Sequence, residues 1–241
     1  AEDSCFMVAF PSGMYNTWNL GPEAPGSHDI DDISYIEALI DTIYNYYPLD
    51  TNRIYGTGHS AGGGFTNHLA CASDEFTALG SAAGYLWTAF EHWGDGLDSD
   101  LAVEYNYLCD PMTIGYTMPM IHFHGRMDWG VFVEWGEMSA IQGALRNGCD
   151  DALSVDLPGP NWPEDNNSDY PLDWTDLMAE YFATADTLEY NDSIYRFQWS
   201  NGCHVEPNIV AIIMPNHQHA WPLLSNSPID GPLEHWNFFR Q

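Results

Sequence analysis

The sequence predicts an α/β domain with a largely parallel central sheet, on three observations. Short apolar runs of strand length alternate with amphipathic helical patterns along the chain. Ile209-Val-Ala-Ile-Ile-Met214 is apolar at every position, as in a buried strand. Arg53-Ile-Tyr-Gly-Thr-Gly58-His59-Ser60-Ala61-Gly62-Gly63-Gly64 passes from a β-branched and aromatic run into glycines around one serine, which reads as a strand turning sharply into a helix.

Taken in order, Phe6-Met-Val-Ala-Phe10 is a short strand ending at Pro11, and a Gly/Pro/Asn-rich loop follows to about Ser27. Ile33, Ile36, Ile40, Ile43 and Tyr47 recur at helical spacing, with Asp29, Asp31 and Asp32 at the positive N-terminal end and Pro48 closing the helix. Arg53 to Thr57 is the next strand and Ala61 to Ala72 its helix. Leu79 to Ala83, Met118 to His124, Ile194 to Trp199 and Ile209 to Met214 read as strands. Gly136 to Arg146 and Pro232 to Phe239 read as helices. Residues 1–241 form a single domain with two insertions, 85–110 and 157–190; the second contains Trp162, Trp174 and Tyr181. Each insertion is a lid, a substrate platform or ordinary surface elaboration.

Charge and cysteine usage bound the partners. Asp and Glu number 35 against 5 Lys and Arg, all five being arginine, for a formal net charge of -30. Such a surface repels nucleic acid and anionic membranes, so neither is an expected partner. A saline habitat that screens self-repulsion and an acidic one that protonates carboxylates both suit it. No apolar run approaches the roughly 18 residues of a membrane span. Cys5, Cys71, Cys109, Cys149 and Cys203 lack the close spacing of zinc or redox motifs, so long-range disulfides and a secreted, extracellular location are expected.

The chemistry is concentrated at Ser60. In a G-x-S-x-G elbow the serine hydroxyl stands exposed at the end of a sheet, and the following helix aims its first N–H groups where a tetrahedral oxyanion would form. A serine needs a base, and the base needs an acid to hold its tautomer. Asp128 lies just past the strand ending in His124-Gly125, and His219 just past the strand ending at Met214, in the order Ser, Asp, His. His59 is a packing, orienting or substrate-contacting residue and not the base, because adjacent residues in an elbow point apart. His122 with His124, and His217 with His219, share i,i+2 spacing, but nothing supplies a third converging ligand, so no metal and no cofactor are expected. Asp165-Asn-Asn-Ser-Asp169 lacks EF-hand spacing and reads as a solvated loop. Asn166-Asn-Ser168 and Asn191-Asp-Ser193 fit glycosylation sequons.

These motifs resemble those of the secreted α/β-hydrolase esterases, polyhydroxybutyrate depolymerase-like and feruloyl esterase-like. Phe10-Pro11, Trp18-Asn19, Asp31-Asp32 and Gly58-His-Ser60-Ala-Gly62 follow the family order. His122-Phe-His124-Gly125-Arg-Met-Asp128 is similar to its acid loop, and His219-Ala-Trp221-Pro222 to its catalytic histidine. The resemblance implies an α/β-hydrolase fold, a Ser60, Asp128, His219 triad, an oxyanion donor at Ala61 N–H, and substrate contacts from His59, Trp129 and Trp221. It also implies a Cys149–Cys203 disulfide; Cys71 with Cys109 makes a second pair and leaves Cys5 over. The family places earlier strands and an oxyanion loop before the segment that Phe6 to Phe10 resembles, so a missing N-terminal piece is expected, supplied by a longer chain or a separate fragment. The implied function is a serine carboxylesterase hydrolysing feruloyl or acetyl esters of polysaccharide or a hydroxyalkanoate polyester. The alternative is a hydrolase-like protein that binds or assembles without turnover; the partners expected are an ester substrate and a separate N-terminal fragment or a second copy of the chain.

Overall fold

The computed structural model describes residues 6–20, 30–86, 117–149, 185–190, 194–203 and 209–241. The strands are β1 (Tyr55–His59), β2 (Ala78–Ala82), β3 (Met120–Gly125), β4 (Thr187–Tyr190), β5 (Tyr195–Trp199) and β6 (Ile209–Met214). They form one sheet in the order β1-β2-β3-β6-β5-β4. The helices are α1 (Asp32–Tyr46), α2 (Ala61–Ala72), α3 (Val133–Arg146) and α4 (Gly231–Phe239).

β1, β2, β3 and β6 pair in parallel, while β5 is antiparallel to β6 and β4 to β5. The departure from a parallel sheet follows from connection length. Only residues 191–194 separate β4 from β5, and residues 200–208 separate β5 from β6, both shorter than the dozen or more residues of a parallel crossover. β4 places residues 187–190, the end of the expected 157–190 insertion, in the sheet. Residues 157–184 of that insertion, and residues 87–110 of the first, lie outside the described residues. So do both sequons, the Asp165 to Asp169 loop, Cys5 and Cys109.

β6 explains its own sequence. Ile209, Ala211 and Ile213 join one core cluster with Phe65 and Leu69 of α2, Ile141 of α3 and Ile36 of α1. Val210, Ile212 and Met214 join a second with Phe238 of α4. Side chains alternate between faces, and both faces are covered, so every position is apolar.

Two pairs noted in the sequence meet in space. The Asn19 amide N–H donates to Asp32 Oδ2 (2.7 Å), and its side-chain amide donates to the Ile30 carbonyl (2.9 Å). Trp18 stacks on Phe65 of α2 at 4.7 Å between ring centroids. Asp31 caps α1 by accepting from the Ser34 amide (3.0 Å).

Several bounds differ from expectation. Phe6 to Phe10 is irregular rather than a strand, and Phe10 is 88% exposed. Among the described residues no ladder pairs it, and a strand requires one. β1 begins two residues late because Arg53 closes a turn, its amide donating to the Asp50 carbonyl (2.9 Å) and its Nε to Asp50 Oδ2 (2.7 Å). β3 begins late because both backbone polar groups of Met118 bond the Asn147 side chain. β2 ends at Ala82 because Ala83 turns left-handed (φ 48°). Cys149 and Cys203 form a disulfide, and Cys71 is also disulfide-bonded. Among the described residues no helix is long and apolar enough to cross a membrane.

Candidate active site

Ser60 sits between β1 and α2 with φ 55° and ψ -121°, a conformation that L-residues adopt only under constraint. The constraint is visible on both sides. Its amide donates to the Ala82 carbonyl of β2 (2.9 Å), and its carbonyl accepts from Gly64 in the first turn of α2 (2.9 Å). A Cβ at Gly58 would lie 2.1 Å from the Gly62 carbonyl oxygen, so only glycine lets strand and helix approach this closely. Asn67 Nδ2 donates to Gly63 O and Ser81 Oγ (both 3.0 Å), fastening α2 to β2 behind the turn. Ala61 opens α2, among the first N–H groups that a helix leaves without internal partners.

Asp128 lies in the loop after β3. Its Oδ1 accepts from the amides of Gly130 and Val131, both at 2.8 Å. Its Oδ2 faces His219 Nδ1 at 2.7 Å, and His124 Nε2 stands 3.5 Å from the same oxygen. Burial would raise this carboxyl. The His124 and His219 rings and the Val131 and Gly130 amides outweigh burial and hold it well below the usual carboxylate range.

His219 follows β6. Its Nε2 is 2.8 Å from Ser60 Oγ, so Ser60, His219 and Asp128 form one hydrogen-bonded chain drawn from three parallel strands. The acid and histidine loops are also joined directly, since Met127 N–H donates to the His217 carbonyl (3.0 Å) and Arg126 N–H to that of Met214 (3.0 Å). His217 is buried, with Nε2 2.9 Å from Ala220 O and Nδ1 3.2 Å from Asn226 O.

The other expected contacts surround this chain. The His59 ring lies 5.0 Å from that of His219 and meets Trp221 edge-on at 6.2 Å; burial, then neighbouring His219, push its pKa down. Trp221 stacks on His235 at 5.3 Å and packs partly into the second core. Trp129 is 79% exposed, next to Gly130, whose added Cβ would come within 3.3 Å of the His219 ring. His122 is buried on β3, with burial pushing it down to about 3.

Sequence reading weighed His217 only as half of an i,i+2 pair and passed over His235. His235 is buried in α4, receives a hydrogen bond from Thr57 of β1 (3.1 Å) and is pushed down to about 4 by burial. The available signal for His235 was Gly80, whose Cβ would lie 2.1 Å from that ring, but a lone glycine does not name its neighbour.

No family model matches the chain. Feruloyl esterase B of Piromyces equi is 27% identical over 176 residues, covering 64% of this chain and 29% of that protein. The chain thus spans less than a third of that relative's length. Acetyl xylan esterase from Aspergillus awamori superposes with a TM-score of 0.51 over 87% of this chain and 67% of its own, at 17% identity. An acylaminoacyl peptidase from Pyrococcus horikoshii aligns over 46% of this chain and 20% of its own, at 23% identity and a TM-score of 0.34, too loose to argue from. The parallel β1-β2-β3-β6 core, the strand-elbow-helix turn and the likeness to the acetyl xylan esterase establish that this chain has an α/β-hydrolase fold.

Proposed function

We propose that the protein is a serine carboxylesterase that hydrolyses esters of an extracellular polymer, or its fragments, through an acyl-enzyme. The observation that carries the reading is the continuous chain from Ser60 Oγ through His219 to Asp128, with links of 2.8 and 2.7 Å. Ser60 Oγ attacks the ester carbonyl carbon as its proton passes to His219 Nε2, and the carbonyl electron pair moves onto oxygen. Ala61 N–H stabilises that oxyanion. Collapse expels the alcohol, which takes the proton back from Nε2. Water then repeats the sequence against the acyl group and releases the acid. Asp128, held ionised by the Gly130 and Val131 amides and by the His219 and His124 rings that face it, keeps the Nδ1 proton in place and offsets the positive charge on His219.

The feruloyl esterase relative and the resemblance of the motifs favour feruloyl or acetyl esters of polysaccharide, with hydroxyalkanoate polyester as the other substrate class. Exposed Trp129, between Asp128 and the glycine that faces the His219 ring, offers a stacking face for an aromatic acyl or a sugar ring. The disulfides suit an extracellular location, and the net charge of -30 disfavours nucleic acid and anionic membranes. A fluorophosphonate probe should label Ser60 in the natural protein, and methyl ferulate, p-nitrophenyl acetate and hydroxybutyrate oligomers should rank the substrates. An unlabelled Ser60 with no turnover on any of these would overturn the esterase reading in favour of a binding protein.

A further inference from the structure

The catalytic acid is held on a loop, and loops need a reason to stay still. Asp128 Oδ1 accepts from Val131 N–H, so the carboxylate and residue 131 close a small turn. The opposite face of that peptide unit's residue is also engaged: Val131 O lies 2.8 Å from His124 Nε2. A carbonyl can only accept, which fixes the proton on Nε2. That same N–H stands 3.5 Å from Asp128 Oδ2, the oxygen that meets His219. The His124 ring, 2% exposed, is lodged against α3 where residue 136 is glycine. A Cβ there would lie 2.1 Å from Nδ1, so the ring occupies a slot that a larger residue would close.

We propose that His124 is a positioning residue of the triad, which holds Asp128 on His219 by tying the acid loop to β3 through Val131. The inference rests on the esterase reading and adds a fourth member that touches neither substrate nor reacting atoms. The ring acts twice: its N–H fixes the Val131 carbonyl, and its positive end faces the carboxylate opposite His219. Without it the Asx turn keeps its own two amide bonds but loses its anchor to the sheet. The carboxylate is then free to shift relative to Nδ1, and small shifts in a catalytic constellation are expensive, up to about 100-fold in rate per ångström.

The test compares His124→Phe, which keeps the ring volume and removes the donor, with His124→Gln, whose amide can still donate to Val131 O. Each is made in the wild-type and in the Asp128→Ala background. His124→Phe should lower kcat by about 10- to 100-fold with KM within a factor of two, and His124→Gln should recover much of the loss. In the Asp128→Ala background His124→Phe should cost less than about twofold, because a residue acting through Asp128 has nothing left to position. An equal loss in both backgrounds, or no loss in wild type, would overturn the proposal. If the phenylalanine variant does not fold, His124→Asn replaces it, being too short to reach Val131 O, with the same expected pattern. Labelling of Ser60 in the parent keeps the two readings apart: labelling with an indifferent His124 sinks only this inference, whereas no labelling sinks the esterase reading itself.

Discussion

The elbow and the two loops that face it solve the same problem by different means. Ser60 is placed by close approach of backbone: a strained φ of 55°, an amide bond to Ala82 and a glycine at 58 that allows helix and strand to touch. Asp128 and His219 are placed by a set of hydrogen bonds: to each other, from the Val131 and Gly130 amides, through the His124 ring on Val131 O, and by the backbone stitch from Met127 to His217. Steric placement is all-or-none, because a blocked approach cannot be partly relieved. Hydrogen-bonded placement is distributed, so its members should fail by degrees.

The largest effects should come where the two meet. Ser60→Ala, His219→Ala and the double variant should each lose at least about 10⁴-fold in kcat, with the double no worse than the worst single, since the pair acts as a unit. Asp128→Asn should lose about 10⁴-fold because it presents the wrong hydrogen-bond partner to Nδ1. Additive losses in the double variant would show that the 2.8 Å contact is not a working one.

Two neighbouring glycines then separate steric from ordinary packing. Gly58→Ala drives a methyl to 2.1 Å from a backbone oxygen and should destabilise by more than about 4 kcal/mol, or prevent folding. Gly62→Ala, in the same motif, finds nothing nearer than Trp18 Nε1 at 3.9 Å and should be neutral or stabilising by up to about 1 kcal/mol, as alanine favours the helix. Urea denaturation reads both. Equal effects would mean that the elbow is not held by close approach.

The same division decides what could be read in the sequence. β6 and α2 were legible to the residue because a fully apolar run and a glycine elbow are local signals. The Ser, Asp, His order was legible because loops after parallel strands gather at one sheet edge. β4 was not, since four residues at the end of an acidic insertion carry no pattern that a neighbour does not complete. Phe6 to Phe10 failed for the converse reason: it has strand composition but no ladder among the described residues. His124, His217 and His235 could not be sorted by sequence into ligand, anchor or core ring, because what distinguishes them is which carbonyl or hydroxyl each meets.

Acid should divide the two regions. His235 beneath β1 and His122 on β3 are pushed by burial to about 4 and about 3, below the ordinary 6.5. The unfolded chain therefore takes up protons first, and stability present above pH 6.5 is lost as pH falls toward 4, on the order of 3 kcal/mol for His235. Buried Glu137, pushed up to about 8, has the opposite sign: its contribution is full below 4.5 and lost as pH rises through 8. Two histidines outweigh one glutamate below about pH 6, so Tm should peak near neutrality and fall toward pH 4.5. Asp128 stays ionised throughout that range, because its depressed carboxyl gives up its contribution only below the ordinary 3.8. Amide exchange at pH 5 should thus rise in β1, which meets His235, and in β3, which carries His122, before it rises at residues 128–131; the reverse order would break the contrast. Added salt should raise Tm at pH 7, because it screens the self-repulsion of the -30 charge.

The smallest effect should come from a single stitch in the histidine loop. Asn226 donates from Nδ2 to the Trp221 carbonyl (3.2 Å) and accepts from Leu223 N–H at Oδ1 (2.9 Å), closing the turn that follows His219. Both bonds lie at the surface, where water replaces a lost partner, so Asn226→Ala should cost about 1 kcal/mol in stability. Its backbone carbonyl, which meets His217 Nδ1 at 3.2 Å, is untouched by the substitution. The histidine loop keeps that bond, the Ala220 contact and the Met127 stitch, and kcat should fall by less than about threefold. A loss approaching that of Asp128→Asn would mean that the loop depends on one bond as the elbow depends on one glycine, and the distinction between steric and distributed placement would not hold for this site.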